Sequence, residues 1–338
     1  MKLIIFGPNK RLGSWLDDGS VVDINRAYIA LQASKGEPNP HAKADAEAPS
    51  CLLTFIELGE AGLEAAKKAI DYAKNVKVSA SSEQLIFKSC DVKIHPPLPS
   101  AATRIAMTGA NFYDHSVDVS RMMGRPTTVE EIKKQVTAGT YNVWGFWKLA
   151  SNVVGPDEYV PYPARTRRLD YEIEIGAVIG KRGKDVKEED GENYIYGYTI
   201  VNDLSIRDDP RMSSLDGFFF SKNFDGSAPM GPCLVTKDEI MDVYKLKLKQ
   251  TVNGEVRQNG SMESIIRRYP FWIALISRDM YIYPGDIICG GTCSGTAFDT
   301  SPILDGKTKP DKFLKVGDIL EAEVSGIGKL RTSIVAKK

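Results

Sequence analysis

The chain has 338 residues, with 44 basic and 44 acidic side chains and a formal net charge of zero. Charges occur without long single-sign blocks, and no apolar stretch approaches the roughly 20 residues that span a bilayer, which argues against nucleic-acid and membrane partners. Five cysteines without a CxxC spacing favour reduced thiols in a cytoplasmic protein, and three histidines are too few for a His-rich zinc site.

The N-terminal hundred residues contain turn-bounded apolar runs that predict a small β-meander. Strands are predicted over residues 3–6, 12–16 and 21–24. Residues 38–50 are predicted to form a loop. Residues 59–74 carry apolar side chains at helical spacing and are predicted to form an amphipathic helix.

A proline cluster from Pro96 to Pro99 predicts a stiff, extended connector. At 338 residues the chain is long enough for a large domain and a smaller one. We therefore divide it into a small N-terminal domain, residues 1–98, and a catalytic domain, residues 99–338. The first segment contains no cluster of titratable groups, so no chemistry is expected there.

A predicted strand ending at Gly109 leads into a polar segment with one of the three histidines. If a helix begins near Tyr113, His115 and Asp118 lie three residues apart on one face and can interact. A carboxylate orients an imidazole and raises its basicity, as a general base requires, although a lone histidine is more often a surface or capping residue. Residues 120–141 are predicted to form a loop and a short helix, either a lid or a plain surface excursion.

Two acidic segments form a candidate metal site. Residues 170–175 alternate acidic with apolar side chains, so a strand would place the acids on one face. Taken alone, that pattern is typical of an edge strand with a solvated face. Residues 198–203, however, are an apolar, β-branched run that ends on Asp203, and a buried carboxylate needs a partner. A divalent cation held by Glu172, Glu174 and Asp203 would relieve their mutual repulsion.

Basic residues beside aromatic runs complete the candidate set. Lys148 ends one aromatic run, and Lys222 closely follows three consecutive phenylalanines. Such lysines commonly bury the aliphatic stem and keep the amine in water. Grouped with Arg207 near the acids, they would instead bind an anionic substrate.

The C-terminal part continues the β-rich pattern. Asn253-Gly254 between two apolar runs predicts a hairpin. Residues 284–286 predict a turn before a strand with a glycine-rich end, which lacks the lysine of a nucleotide-binding P-loop. Two final strands are predicted over residues 320–324 and 330–335.

Taken together, these motifs resemble the fumarylacetoacetate hydrolase family over about residues 100–338. The matching segments are residues 111–115, 146–148, 172–174, 197–203, 207–208, 222–224, 253–255 and 284–292. The resemblance implies an α+β fold, predominantly β, in which a mixed β-sandwich roll carries a small α+β N-terminal domain. It also implies a homodimer.

The family's site residues correspond to three groups of positions in this sequence. The implied metal ligands, for Mg²⁺ or else Mn²⁺ or Ca²⁺, are Glu172, Glu174 and Asp203. The implied catalytic residues are His115, Asp118, Lys148 and Lys222. The implied substrate contacts are Arg207 and Thr292.

The resemblance implies a metal-dependent hydrolase that cleaves a C–C bond in a 2,4-diketo acid of the acylpyruvate or fumarylpyruvate type, as in the breakdown of aromatic compounds. The cation would stabilise the departing enolate, His115 would activate water, and a lysine would stabilise the oxyanion. The alternative is a decarboxylase, isomerase or dehydratase acting on a 2-oxo dicarboxylic acid or sugar acid, since such chemistry needs no positioned water. A non-catalytic metal-binding relative is a third hypothesis.

Overall fold

The computed structural model describes residues 1–80, 82–98, 103–210, 216–301, 303–304, 307–308 and 312–337. These residues form a mixed α+β fold with extensive sheets, as predicted. No helix among them is long and apolar enough to cross a membrane.

The N-terminal segment begins with the predicted β-meander and continues into helices. Its elements are β1 Lys2–Phe6, β2 Arg11–Trp15, β3 Ser20–Asp23, α1 Ile24–Ser34, α2 Pro40–Glu47, α3 Leu52–Glu57, α4 Glu60–Val76, β4 Ile86–Lys88 and β5 Ile94–His95. The three strands and the amphipathic helix α4 are confirmed. The prediction of a loop over residues 38–50 is wrong, because α2 forms there.

The start of α2 has a local cause. The side chain of Asn39 accepts a hydrogen bond from the backbone N–H of Ala42, and Pro40 occupies the first helical turn. An asparagine cap followed by proline is a helix-start signal, since the proline lacks an N–H that would otherwise be unpaired.

The middle of the chain contains the strands that carry the candidate site. Its elements are β6 Ile105–Gly109, α5 Tyr113–Met122, α6 Val129–Thr137, β7 Trp144–Lys148, β8 Val153–Val154, β9 Tyr159–Pro161, β10 Leu169–Asp170, β11 Ile173–Ile179, β12 Ile195–Asn202 and β13 Ser205–Ile206. The predicted helix start at Tyr113 and the short helix within residues 120–141 are confirmed.

The remaining elements confirm the hairpin and the two final strands. They are α7 Asp216–Lys222, β14 Ala228–Thr236, β15 Lys247–Val252, β16 Glu255–Ser261, α8 Tyr269–Ile276, β17 Ile287–Thr292, α9 Ala297–Thr300, β18 Ile303–Leu304, β19 Lys307–Thr308, β20 Ile319–Val324 and β21 Gly328–Val335.

A twelve-stranded sheet runs through the molecule in the order β4-β3-β2-β1-β14-β12-β11-β17-β6-β7, with β5 paired to β1 and β8 to β14. Its central strands β12, β11 and β17 are antiparallel neighbours, and β6 runs parallel to β17. A second sheet has the order β16-β15-β20-β21-β9.

The two faces of the large sheet are covered differently. One hydrophobic cluster joins side chains of β11 and β12, such as Ile175 and Ile200, to Leu248 and Val324 of the second sheet. The other face packs against the N-terminal helices, through residues such as Val201. Both faces of the central strands β11 and β12 are therefore buried, which explains their continuous apolar runs.

The proposed domain division at residue 98 separates strands that belong to this one sheet. Strand β1 of the N-terminal segment pairs with β14 of the catalytic segment, with Leu3 opposite Leu234. Part of the predicted connector, Pro99 and Ser100, lies outside the described residues. We still propose that residues 1–98 and 99–338 are two domains, which are joined through this sheet.

Candidate active site

The three acidic residues predicted to hold a metal ion meet at one end of the central strands. Glu172, Glu174 and Asp203 each offer a carboxylate oxygen, and these atoms lie within 4.8 Å of one another. The pairing of β11 with β12 causes this, because Ile173 lies opposite Asn202. The backbone N–H of Asp203 also donates to the carbonyl of Glu172 (2.8 Å).

All three acids are buried, with 5%, 2% and 1% of Glu172, Glu174 and Asp203 exposed. The edge-strand interpretation of residues 170–175 is therefore wrong. The segment is also not one uninterrupted strand, because Asp170 belongs to β10, which pairs with β13, and β11 begins only at Ile173.

Two cations contact the acids from the cavity side. Lys222 Nζ donates to Glu172 Oε2 (2.6 Å) and to Asp203 Oδ2 (2.7 Å). Arg207 donates to Glu172 through Nη2 and to Asp170 through Nε (2.9 Å). Arg207 thereby connects an acid of the site to an acid on a separate strand.

Lys148 lies on the far side of Asp203. Its Nζ donates to the backbone carbonyls of Leu204 (3.2 Å), Lys222 (2.6 Å) and Ser227 (2.8 Å), and lies 2.8 Å from Asp203 Oδ1. An ammonium group has three N–H donors, so these carbonyls use all of them. Burial lowers the pKa of Lys148. This geometry makes Lys148 an anchor for Asp203 and the surrounding backbone, rather than the substrate-facing catalytic lysine that was predicted.

The charges of the site do not balance among the protein groups. Five buried carboxylates meet here, those of Asp170, Glu172, Glu174, Asp203 and Asp299. The three cations around them are Lys148, Lys222 and Arg207. With all five carboxylates ionised and the imidazole neutral, five negative and three positive charges would leave two negative charges, which one divalent ion would balance.

The pKa shifts indicate which carboxylate lacks a compensating positive charge. Although burial opposes ionisation, Arg207 and Lys222 lower the pKa of Glu172 far below its usual range. Burial, together with Asp203 and Glu172, raises the pKa of Glu174 well above its usual value. Glu174 is thus the acid that lacks a positive partner, and three carboxylates suit Mg²⁺, Mn²⁺ or Ca²⁺, which prefer oxygen ligands.

His115 lies at the start of α5, as predicted, but its partner differs from the prediction. Its Nδ1 lies 2.8 Å from Asp299 Oδ2. Asp118 instead accepts a hydrogen bond from Ser294 Oγ and forms an ion pair with Arg121 (2.8 Å). The predicted contact between His115 and Asp118 is therefore wrong, because α5 turns Asp118 towards the loop that holds Ser294.

The contact with Asp299 sets the tautomer of the imidazole. An ionised carboxylate only accepts hydrogen bonds, so the Nδ1–H of His115 donates to Asp299 and the lone pair lies on Nε2. Burial lowers the pKa of His115, but the hydrogen bond and charge of Asp299 outweigh it and leave the pKa raised. The ring is thus oriented and made more basic, as a general base requires.

Asp299 was missed in the sequence because its link to His115 is not local. It lies on the four-residue helix α9, 184 positions after His115. The available signal was the pattern Thr296-x-x-Asp299, in which Thr296 Oγ1 accepts from the N–H of Asp299 (3.2 Å). That pattern predicts a helix start and says nothing about a distant histidine.

A cavity of about 940 Å³ opens over these groups. Seven of the nine predicted site residues line it: His115, Glu172, Glu174, Asp203, Arg207, Lys222 and Thr292. Its aromatic lining residues are Tyr141, Trp144, Phe146, Phe218 and Phe298. Residues of α5, α6 and the adjoining loops also line it, so the predicted lid segment borders the cavity.

Thr292 has its hydroxyl group engaged within the protein. Its Oγ1 donates to the carbonyl of Ile173 (2.8 Å) and accepts from Gln258 Nε2 (2.8 Å). The preceding residue, Gly291, donates its backbone N–H to Glu174 Oε2 (2.9 Å). Strand β17 therefore supports Glu174 through its backbone.

Residues 104–335 match the family model described as the C-terminal region of fumarylacetoacetate (FAA) hydrolase. The chain is 32% identical over 323 residues to the oxaloacetate tautomerase YisK of Bacillus subtilis, covering 96% of this chain and 95% of that protein. It is 30% identical over 340 residues to a mitochondrial oxaloacetate tautomerase of Xenopus laevis, covering 99% and 90%.

Among solved structures, the fold is similar to that of maleylpyruvate hydrolase from Sphingobium sp. SYK-6 in complex with manganese(II) and pyruvate. The TM-score is 0.68, the sequence identity is 23%, and the match covers the whole of both chains. At this identity the likeness concerns the fold.

Proposed function

The chain belongs to the fumarylacetoacetate hydrolase family and is an enzyme of that family. From this premise, we propose that it catalyses keto–enol tautomerisation of a 2-oxo acid of the oxaloacetate kind. The observation that carries the proposal is the placement of the imidazole. His115 faces the same cavity as the three acids, and its partner on Nδ1 leaves Nε2 as the proton acceptor.

Glu172, Glu174 and Asp203 would hold a divalent cation, Mg²⁺ or Mn²⁺. Bound there, the cation would supply Lewis-acid stabilisation of negative charge on the substrate oxygens. The unbalanced charge at Glu174 supports this assignment, and so does the likeness to a structure that holds manganese and pyruvate.

His115 Nε2 would take the proton from C3 of the 2-oxo acid. The C3–H electron pair becomes the C2=C3 double bond, the C2=O π pair moves onto the oxygen, and that oxygen takes up a proton from the imidazolium. Asp299 holds the ring during this transfer and stabilises its charged form, the ordinary task of a carboxylate behind a general base.

Lys222 would bind the anionic substrate from the cavity side. Burial lowers its pKa, but Asp203 and Glu172 outweigh this and leave the pKa raised, so the amine stays charged. A fixed ammonium beside a developing negative charge contributes about 3 kcal/mol to transition-state stabilisation in comparable sites. Arg207 lines the cavity too, although its guanidinium already joins Glu172 to Asp170.

A second candidate is hydrolysis of a C–C bond in a 2,4-diketo acid, with His115 activating water in place of abstracting a C3 proton. The size of the cavity favours it, because about 940 Å³ is far more than a four-carbon acid fills. The volume of the cavity also supports, as substrate, a larger acid formed in the breakdown of aromatic compounds.

The test is an assay of purified protein loaded with Mn²⁺ or Mg²⁺ against both substrate types. We expect it to accelerate ketonisation of enol-oxaloacetate, followed by the loss of enol absorbance, and His115→Ala to reduce the rate by about 100- to 10,000-fold with Mn²⁺ binding unchanged. Cleavage of an acylpyruvate to two acids, identified by mass, without tautomerase activity would replace the first candidate by the second.

We also propose a homodimer in the cytoplasm. The cysteines in the described residues are free thiols, which supports a reducing compartment, whereas the Xenopus relative is named as mitochondrial. Light scattering of the purified protein tests the homodimer, and fractionation of cells that produce the protein tests the cytoplasmic location.

A further inference from the structure

Thr108 and Thr292 are buried threonines on neighbouring strands, and both line the cavity. Their hydroxyl groups differ in one respect. Thr292 Oγ1 both donates and accepts a hydrogen bond within the protein. Thr108 Oγ1 is buried and has no hydrogen-bond partner in the part of the chain that the structure describes.

The sheet register places Thr108 beside the acid site. In the parallel pairing of β6 with β17, Met107 lies opposite Cys289. In the antiparallel pairing of β17 with β11, Thr292 lies opposite Glu174. Thr108, one residue beyond Met107, is therefore at the same end of the sheet as Glu174, with β17 between them.

Gly291 of β17 lies next to both Thr108 and Glu174. Its N–H donates to Glu174 Oε2, and a Cβ built on it would lie only 3.3 Å from Thr108 Oγ1. Its φ of +89° also favours glycine. The hydroxyl of Thr108 and the carboxylate of Glu174 thus lie on either side of one residue, and both face the same cavity.

Leaving a buried hydroxyl unpaired costs about 1–3 kcal/mol, so such a group in a native protein calls for an explanation. The neighbouring Asn111 does not supply a partner. Asn111 Nδ2 already donates to the carbonyls of Arg267 and Gly290, and its Oδ1 accepts from the N–H of Arg267. Because Thr108 lines the cavity, a ligand bound there can form a hydrogen bond with its hydroxyl group.

We propose that Thr108 Oγ1 is a further substrate contact, which donates a hydrogen bond to an oxygen atom of the 2-oxo acid beside the three carboxylates. This inference rests on the proposed function, since that oxygen belongs to the ligand of the same site. A hydroxyl donating to an oxygen that gains negative charge forms a charge-assisted bond, about twice as strong as a neutral one.

The test uses the full-length protein loaded with Mn²⁺ and oxalate as the probe, because oxalate presents two adjacent, negatively charged oxygens like the enolate of a 2-oxo acid. Mn²⁺ affinity is measured by electron paramagnetic resonance, and oxalate affinity by calorimetry on the loaded protein. The variants are Thr108→Val, Thr108→Ser and the control Thr199→Val, which removes another buried, unpaired hydroxyl that does not line the cavity.

We expect Thr108→Val to weaken oxalate binding by about 10- to 100-fold, the effect of one hydrogen bond to a charged group, with Mn²⁺ affinity within about twofold of wild type. Thr108→Ser retains oxalate affinity because it keeps the hydroxyl, and Thr199→Val changes neither value. Unchanged oxalate affinity in Thr108→Val overturns the inference, and so does an equal loss of Mn²⁺ and oxalate binding.

A second variant covers the case in which Thr108→Val does not fold. Thr108→Asp directs a carboxylate to the same position, so we expect Mn²⁺ affinity to rise by at least about tenfold if the side chain faces the acids. Unchanged or weaker Mn²⁺ binding in this variant contradicts the inference. Failure of the wild-type protein to bind Mn²⁺ is a different result, which overturns the proposed metal site itself.

Discussion

At the scale of single residues, Glu174 is the carboxylate whose charge the protein leaves unbalanced. Its raised pKa means that the folded, metal-free protein disfavours the ionised form. Glu174→Gln preserves the shape of the side chain and an acceptor for the N–H of Gly291. We expect the variant to lose Mn²⁺ binding by at least about 100-fold while its melting temperature without metal equals or exceeds that of wild type.

Calorimetric titration with Mn²⁺ and thermal unfolding in a chelator check this expectation. A variant that still binds Mn²⁺ with wild-type affinity would show that Glu174 is not a ligand. A variant that unfolds early in the chelator would show that the carboxylate has a structural role instead.

Asp299 is the residue that should control the pH dependence of catalysis. A base must be neutral, so activity falls as the pH decreases through the pKa of His115, which Asp299 raises above its usual value against the effect of burial. Asp299→Asn removes the negative charge and lowers that pKa. We expect the acidic limb of the rate profile to move to lower pH, together with an about 10- to 100-fold loss of turnover from poorer orientation of the ring.

Asp118→Asn is the matched control, because Asp118 lies on the same helix as His115 but contacts Ser294 and Arg121. It should leave the acidic limb in place. If Asp118→Asn moves the limb and Asp299→Asn does not, the original pairing from sequence spacing is the functional one.

At the scale of elements, the short helix α9 connects His115 to the three carboxylates. Asp170 accepts hydrogen bonds from the backbone N–H groups of Ala297 (2.6 Å) and Phe298 (3.2 Å) at the start of α9. The same carboxylate accepts from Arg207, which also donates to Glu172. The position of His115 relative to the acids therefore depends on Asp170, through the helix that carries Asp299.

We expect Asp170→Asn to destabilise the fold by about 3–5 kcal/mol, the usual cost of removing one partner of a buried ion pair. It should also lower turnover, because α9 loses the charge that holds its first turn. Denaturant unfolding measures the first effect, and assays at a permissive temperature measure the second. Asp157→Asn, which breaks an exposed pair with Arg331, is the control and should cost at most about 1 kcal/mol.

At the scale of the whole molecule, the excess of buried carboxylates over cations at the site predicts that a divalent ion stabilises the fold. An ion that binds only the folded state adds about 2.7 kcal/mol at a concentration 100 times its dissociation constant. We expect Mn²⁺ to raise the melting temperature and a chelator to reverse the rise, with no effect on Glu174→Gln. Equal shifts in wild type and Glu174→Gln would mean that the ion acts elsewhere.

The division of the chain at residue 98 can be tested by truncation. A chain of residues 99–338 lacks β1, the partner of β14, and leaves apolar residues such as Leu234 without their N-terminal neighbours. We expect this fragment to aggregate or to melt well below the full chain, because an unpaired strand edge and exposed core residues favour association. A soluble fragment with unchanged melting temperature and Mn²⁺ binding would show two independently folding domains.

Much of the site was predictable because local pattern and resemblance pointed to the same residues. Asp203 was recognisable as an acid closing a buried strand, and Glu172 and Glu174 as a pair that needs a counter-charge. His115 was placed correctly at the start of a helix. These features depend on strand and helix periods of a few residues, which can be recognised in the sequence without knowledge of the fold.

Only the tertiary structure determines which group each side chain contacts. Residues 170–175 alternate like an edge strand, yet they are buried, because the large sheet has helices on one face and a second sheet on the other. Lys148 looks like a catalytic lysine, but three backbone carbonyls from other elements surround its amine. His115 takes Asp299 as its partner across 184 residues. Periodicity determines the face on which a residue lies, whereas its partner depends on the element that the fold packs against that face.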